Sequence, residues 1–224
     1  MTFENQINAL TGLSLGDVGN PSLLEANQYL QDGVREVINR IIRIVPEEAI
    51  KFSKTTHDNN NSGIVYTGRI ISVMREHDST TILRECEAIP PGRRYDATDR
   101  DSIYYKTKEN PAYYILGSTD SSSAKIYGVP AAESGDLNDV IVTQVTYDTG
   151  VATTDTSIDN FATEYEYLVV LYSSIKLMEH KINKLNSIEE DIELAKSLES
   201  ILASLKADYE GAFNRMIVRQ PKED

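Results

Sequence analysis

NPSLLEANQYLQDGVREVINRIIRIVP, residues 20–46, decides the front of the fold. Asn20 suits an N-cap and Pro21 the first helical position, where its missing N–H has no intrahelical partner to lose. Apolar residues then recur at Leu23, Leu24, Leu30, Val34, Val37, Ile38, Ile41, Ile42 and Val45. Steps of three and four gather them on one broad helical face. The residue before a proline disfavours the α region, so Pro46 ends the run. The prediction is a helix over Asn20–Val45. Gly33 inside it costs about 1 kcal/mol relative to Ala; it marks a close backbone approach or is simply tolerated. A shorter helix is expected over 3–10, with Phe3, Ile7 and Leu10 on one face.

A matching pattern closes the chain. From Asp159 or Asn160 as cap, Phe161, Tyr165, Leu168, Val169, Tyr172, Ile175, Met178 and Ile182 trace a second apolar face. Asn186-Ser187 interrupts it. Ser187 with Glu190 reads as a capping box, and the acids Glu189–Asp191 suit a helix N-terminus. Beyond, Ala195, Leu198, Leu202, Leu205, Tyr209, Ala212 and Met216 alternate steps of three and four, a heptad seam. A helix over Ser187–Ile217 is roughly 45 Å long at 1.5 Å per residue. Its stripe must be covered by the preceding helix, by the front helix or by another subunit.

Between these ends the period changes to two. Lys51–Gly63 reads as a strand entering a turn. Ile64–Met74 and Thr80–Ile89 read as a strand pair around His77–Ser79, stopped by Pro90-Pro91-Gly92. Arg93–Asp101 is polar and suits one helical turn. Short strands are expected at Ser102–Thr107, Ala112–Leu116 and Ala124–Gly128, and the strongest at Val140–Tyr147, with Val140, Val142, Gln144 and Thr146 on one face. The fold class is therefore α+β: a helical bundle formed by the N- and C-terminal helices, interrupted by a β-rich insert that is a small sheet or barrel. The divisions are 1–50 and 157–217 for the bundle, 51–156 for the insert and 218–224 for a flexible tail.

The 224 residues include 35 Asp and Glu against 22 Lys and Arg, a net charge of −13. Divided at residues 60 and 158, the excess is −3, −5 and −5, so it is not an acidic tail. Tight nucleic-acid binding needs cations to neutralise phosphates and is disfavoured. No apolar run approaches the ~20 residues of a bilayer span, so no membrane partner is expected, and MTFENQINALTGL lacks the positive charge and apolar core of a secretory signal. The lone Cys86 excludes an internal disulfide, so a reducing compartment is expected.

Chemistry is hard to find. His57, His77 and His180 lie far apart, and no HxxxH, CxxC, HExxH, GxxxxGK[ST] or GxGxxG spacing occurs. No metal and no cofactor are expected. Cys86 alternates with Glu85 and Glu87, which points it inward as an inert buried thiol. Asp96, Asp99 and Asp101 lack the order of a calcium loop. With Arg93, Arg94 and Arg100 interleaved, they read as an ion-pair network or a solvated loop. Tyr104-Tyr105 and Tyr113-Tyr114 suggest half-exposed strands, since acidity argues against base stacking. The expectation is a protein that is not an enzyme.

Three strings carry a resemblance: PSLLEANQYLQDGVREVINRI (Pro21–Ile41), AIPPGRRYDATDRDSIYYKTKENPAYYIL (Ala88–Leu116) and TSIDNFATEYEYLVVLYSSIKLMEHK (Thr156–Lys181). They are similar to those of head-to-tail adaptor (connector) proteins of tailed bacteriophages, and virion proteins of cyanophages carry similar strings. Cyanophage relatives often have Pro after Phe in the third string, where Ala162 stands here. The resemblance implies a structural virion protein at the neck, assembled in the host cytoplasm. It implies a ring of twelve copies beneath the portal that extends the DNA channel and offers the tail its attachment surface. Its partners would be itself, the portal protein, a downstream neck or tail protein, and genomic DNA passing without specific binding. It places portal docking in the C-terminal segment, here Arg215, Arg219, Gln220, Pro221, Lys222, Glu223 and Asp224. It carries no catalytic residue. The contact between subunits is expected in the β insert, at Tyr104, Tyr105, Tyr113 and Tyr114. Competing readings are a tail-tube or gatekeeper protein of a short-tailed phage, a receptor-binding module, disfavoured by the absence of Trp, and a hydrolase using Asp96, Asp99, Glu85 or Glu87, which nothing in the sequence orients.

Overall fold

In the computed structural model, residues 1–77, 82–117, 123–132, 138–147, 150–188 and 192–218 are described, with backbone alone at 187–188, 192 and 216–218. The protein has an α+β fold with helices at both ends and a β insert between them. Two compact units result: Met1–Phe52 with Tyr147–Asp224, and Ser53–Thr146.

Helix α3, Thr163–Ile188, is the axis of the helical unit. Leu168, Val169, Val170, Leu171, Leu177 and Met178 are all buried. Apolar residues on successive positions face every direction, as in a helix surrounded by others. The others are α1 (Phe3–Thr11), α2 (Leu23–Ile44) and α4 (Ile192–Val218), each packed against α3. Helix α1 buries Phe3, Ile7 and Thr11, while Leu10 stays half-buried. A 3₁₀ stretch, Pro46–Phe52, ends with Phe52 tilted against Phe161 at 5.1 Å and Tyr165 at 5.7 Å.

Helix α2 starts two residues later than expected. Asn20 closes the preceding loop, its amide donating to the Ser14 carbonyl and its N–H to the Asp17 carbonyl. Ser22 is the N-cap, in a capping box with Glu25. Gly33 is a close approach: a Cβ there would lie 3.1 Å from Tyr172 Cδ1 and 3.3 Å from the Val169 carbonyl oxygen. Helix α3 likewise begins at Thr163, because Asn160 sits in the left-handed region (φ 52°) and no N-cap adopts that conformation. The expected break at Ser187 is also displaced. Helix α3 runs through Ser187, so Ser187 caps nothing, and Glu189–Asp191 lie outside the described residues. The 27 residues of α4 span about 40 Å.

The seam of α4 buries Ala195, Leu198, Leu205 and Tyr209, with Leu202 half-buried. Phe213, not Ala212, takes the next buried position and meets Tyr209 edge-on at 5.0 Å; the Met216 side chain lies outside the described residues. Arg40 of α2 covers both rings and pairs with Glu210.

The β unit contains two four-stranded sheets. One has the order β1 (Ser53–Asp58), β8 (Val140–Val145), β3 (Ile70–Glu76), β4 (Leu83–Glu85). The other has the order β2 (Ile64–Val65), β7 (Lys125–Val129), β6 (Ala112–Leu116), β5 (Glu87–Ala88). All pairings are antiparallel except β5 with β6. The chain changes sheet at both edges, between β1 and β2 and between β4 and β5. Ile64, Val73, Cys86, Ile126, Val140 and Val142 fill the space between the sheets. Outside the second sheet, Ala97 from the 91–106 segment packs with Ala112, Val129, Ile89 and Tyr114.

Three strand expectations fail. Thr80–Ile89 divides at Cys86 into β4 and β5, which lie in different sheets. Ile64–Met74 is not one strand, because Gln144 is inserted beside its middle. Its carbonyl accepts from the Thr67 N–H and its amide donates to the Val65 carbonyl, which divides β2 from β3. Ser102–Thr107 is not a strand either. The N–H groups of Ser102 and Tyr105 donate to the carbonyls of Asp99 and Ser102, coiling the segment into turns. The β3–β4 hairpin forms, although residues 78–81 lie outside the described residues.

Charge divides with the units. Residues 1–52 and 147–224 hold 22 acids and 12 bases, a net of −10, whereas residues 53–146 hold 13 and 10, a net of −3. The even spread along the chain therefore becomes uneven in the folded protein.

Candidate interaction surfaces

Cys86 is 6% exposed and packs between the sheets. Burial pushes its thiol up to about 12, so the thiolate that would act as nucleophile is absent at neutral pH. Asp96, Asp99 and Asp101 are exposed, and none of the described ion pairs joins them to Arg93, Arg94 or Arg100. Of the two expectations, the solvated loop describes these acids and the ion-pair network does not; the arginines make aromatic contacts instead. Arg93 lies 4.5 Å over the Tyr104 ring, and Arg94 lies over the Tyr95 ring while donating to its hydroxyl at 2.9 Å. Each histidine sits beside one carboxylate: His57 with Asp139, His77 with Glu109, His180 with Glu25. Among the described residues no group of three or more His, Cys, Asp or Glu converges as a metal site would require.

The four tyrosines expected at a subunit contact separate into different environments. Tyr113 faces the inter-sheet core, whereas Tyr114, on the opposite face of β6, stacks on Tyr127 at 5.5 Å. Tyr105 is half-buried in a turn, and Tyr104 is exposed. The strongest exposure next to them belongs to Ile103, at 91%, with Tyr95 at 69%. Ile103 is one of several singly exposed apolar side chains, with Val18 and Leu24 on the helical unit. The sequence signal for the arginine–tyrosine contacts was the RRY run at 93–95 followed by IYY at 103–105, which strand propensity concealed.

A groove opens on the same unit where β4 ends and β5 turns to the other sheet. Ile70, Ile71, Ser72 and Val73 form one wall, Glu85, Cys86, Glu87 and Ala88 the other, with Tyr113 alongside, enclosing about 450 Å³. The cause is the crossover at Cys86. Its N–H still donates to the Val73 carbonyl, while the N–H groups of Glu87 and Ile89 turn to the Pro111 and Tyr113 carbonyls. The rim carries the exposed Glu85, and Glu87, which pairs with Lys106.

On the helical unit, Tyr29, Lys176, Glu179, His180, Asn183 and Lys184 line a polar depression bridged by Lys176–Glu179–Lys206. Arg215 is exposed near the end of α4, its Nε donating to the Gly211 carbonyl. Arg219, Gln220, Pro221, Lys222, Glu223 and Asp224 lie outside the described residues. No helix among the described residues is long and apolar enough to cross a membrane. No protein-family model matches this sequence, and no curated protein matches it.

Proposed function

We propose that this chain is a structural subunit of a head-to-tail adaptor of a tailed phage, assembled as a ring beneath the portal and extending the DNA channel toward the tail. What supports the reading most is the architecture that the resembling strings imply: front and rear helices packed on one another, with a β insert carried between them. Helices of 22 to 27 residues make stiff wall elements. The exposed arginines and tyrosines of the insert suit contacts with other chains. The helical unit's net −10, repeated around a ring, would repel phosphate and let DNA pass without sticking. The C-terminal segment from Arg215 onward would dock on the portal. Co-sedimentation with the portal protein of the same phage tests this. The full chain is expected to pellet with the portal, and deletion of residues 215–224 to keep the helical circular dichroism while losing the pellet. A full chain that stays in the supernatant contradicts the reading.

A further inference from the structure

The chain passes from β1 to β2 through DNNNSG, residues 58–63. Its oxygen-bearing side chains include Asp58, Asn60 and Ser62, at alternate positions, and Gly63 follows. Calcium loops place oxygen ligands at their first, third and fifth residues and a glycine at the sixth, where the chain turns sharply. The backbone here makes that turn. Gly63 has φ 77° and Asn61 φ 58°, and a Cβ on Gly63 would lie 2.7 Å from the Tyr127 ring.

The three oxygens converge. The Ser62 N–H donates to both Asp58 Oδ1 and Asn60 Oδ1, at 3.1 Å each, and Ser62 Oγ lies 3.3 Å from Asp58 Oδ1. The Gly63 N–H holds Asp58 Oδ2 at 2.9 Å, so the carboxylate is oriented before any ion arrives. The charge is a separate observation. Asp58 is 4% exposed, yet no Lys, Arg or His pairs with it among the described residues. Lys125 donates to the Ser62 carbonyl instead, at 2.9 Å. Buried charges are as a rule paired or bound to a metal. Calcium suits this set because it accepts neutral oxygens beside a carboxylate and tolerates irregular geometry, whereas His and Cys clusters serve softer metals.

We propose that the 58–63 turn binds a calcium ion through Asp58 Oδ1, Asn60 Oδ1 and Ser62 Oγ, with water completing the shell. On binding, the Ser62 hydroxyl turns its hydrogen outward, which frees a lone pair on Oγ and one on Asp58 Oδ1. The twelfth position of such a loop supplies a bidentate Glu in EF-hands; here it is Arg69. Without that ligand the affinity belongs to the weak class, a Kd on the order of 0.1–1 mM. The ion would pin the point where the chain leaves one sheet for the other. The site is independent of the adaptor reading.

Terbium replaces calcium at oxygen sites and is sensitised by a nearby tyrosine, here Tyr127 against the turn. The full-length protein is titrated with terbium in excess magnesium, which suppresses loose binding to surface acids, and then with calcium. Wild type is expected to give saturable luminescence that calcium displaces in the range above. Asp58→Asn keeps the shape of the turn and removes its charge; Asn60→Ala with Ser62→Ala removes two ligands at exposed positions. Each is expected to weaken calcium binding about 10-fold or more, since charge and ligand number set the affinity, with unchanged circular dichroism. Where Asp58→Asn alters the circular dichroism, the double variant decides. Wild type without calcium-displaceable luminescence, or a folded variant that binds calcium as wild type does, overturns the proposal.

Discussion

The two units spend their aromatic residues differently. All four phenylalanines lie in the helical unit, and Phe3, Phe52 and Phe213 are among its most deeply buried side chains. The β unit has none; it has seven tyrosines, of which Tyr66, Tyr95 and Tyr104 are exposed. A phenylalanine suits only a dry core, whereas a tyrosine keeps one polar end for solvent or a partner. The helical unit thus keeps its phenylalanines for a dry core, and the β unit uses tyrosine where it meets solvent. Charge differs too, with −10 on the helical unit and −3 on the β unit.

The largest test of this contrast is Phe213→Ala. Phe213 is 1% exposed, packs on Tyr209 and lies under Arg40. Its loss should destabilise the helical unit by about 3–5 kcal/mol, read as faster hydrogen exchange over the amides of α2, α3 and α4. A change under about 1 kcal/mol would mean that the end of α4 is not core. Gly128→Ala probes the β unit. A Cβ there would lie 2.4 Å from Val140 Cγ2, and the stiff valine has little room to yield. The expected loss is about 1–3 kcal/mol by urea unfolding. Gly33→Ala, by contrast, gains about 1 kcal/mol of helix propensity against contacts of 3.1–3.3 Å and should come out near zero.

Ser22→Ala removes the N-cap of α2 and should cost about 0.5–2 kcal/mol by thermal or urea unfolding. A smaller, pH-dependent effect belongs to the helical carboxylates. Hydrogen bonds from Ser22, Lys51 and Arg40 hold Glu25, Glu164 and Glu210 below the ordinary glutamate value. A folded value below the unfolded one gives stability that is present above about pH 4.3 and lost as pH falls through the folded values. These groups are well exposed, so each contributes at most about 1 kcal/mol. The urea midpoint of the helical signal should therefore be lower at pH 3 than at pH 6; an equal or higher midpoint would show that relief of acidic repulsion outweighs the pairs.

Periodicity reached the helices well and the β unit poorly. Three- and four-residue steps need only local sequence, so α2, α3 and the seam of α4 were legible. Their ends were not, because Asn20 was engaged by Ser14 and Asn160 by a left-handed backbone. The split between β2 and β3 depends on Gln144, some 77 residues from Thr67, and no local pattern shows it. The surroundings of the four tyrosines were not legible: Tyr104 is exposed and Tyr113 faces the inter-sheet core, whereas Ser102–Thr107 looked like a strand because its tyrosines favour one. Ile103 was therefore assigned to a pleated face and missed as an exposed tip. The groove was invisible, since it exists only where one chain segment serves two sheets.

The central claim is a ring of this chain on a portal. Negative-stain electron microscopy of the full-length protein mixed with the portal of the same phage tests it most directly. The account predicts a closed ring of extra density capping one end of the portal. Bare portals beside free monomers, at concentrations well above those used for assembly, would contradict it.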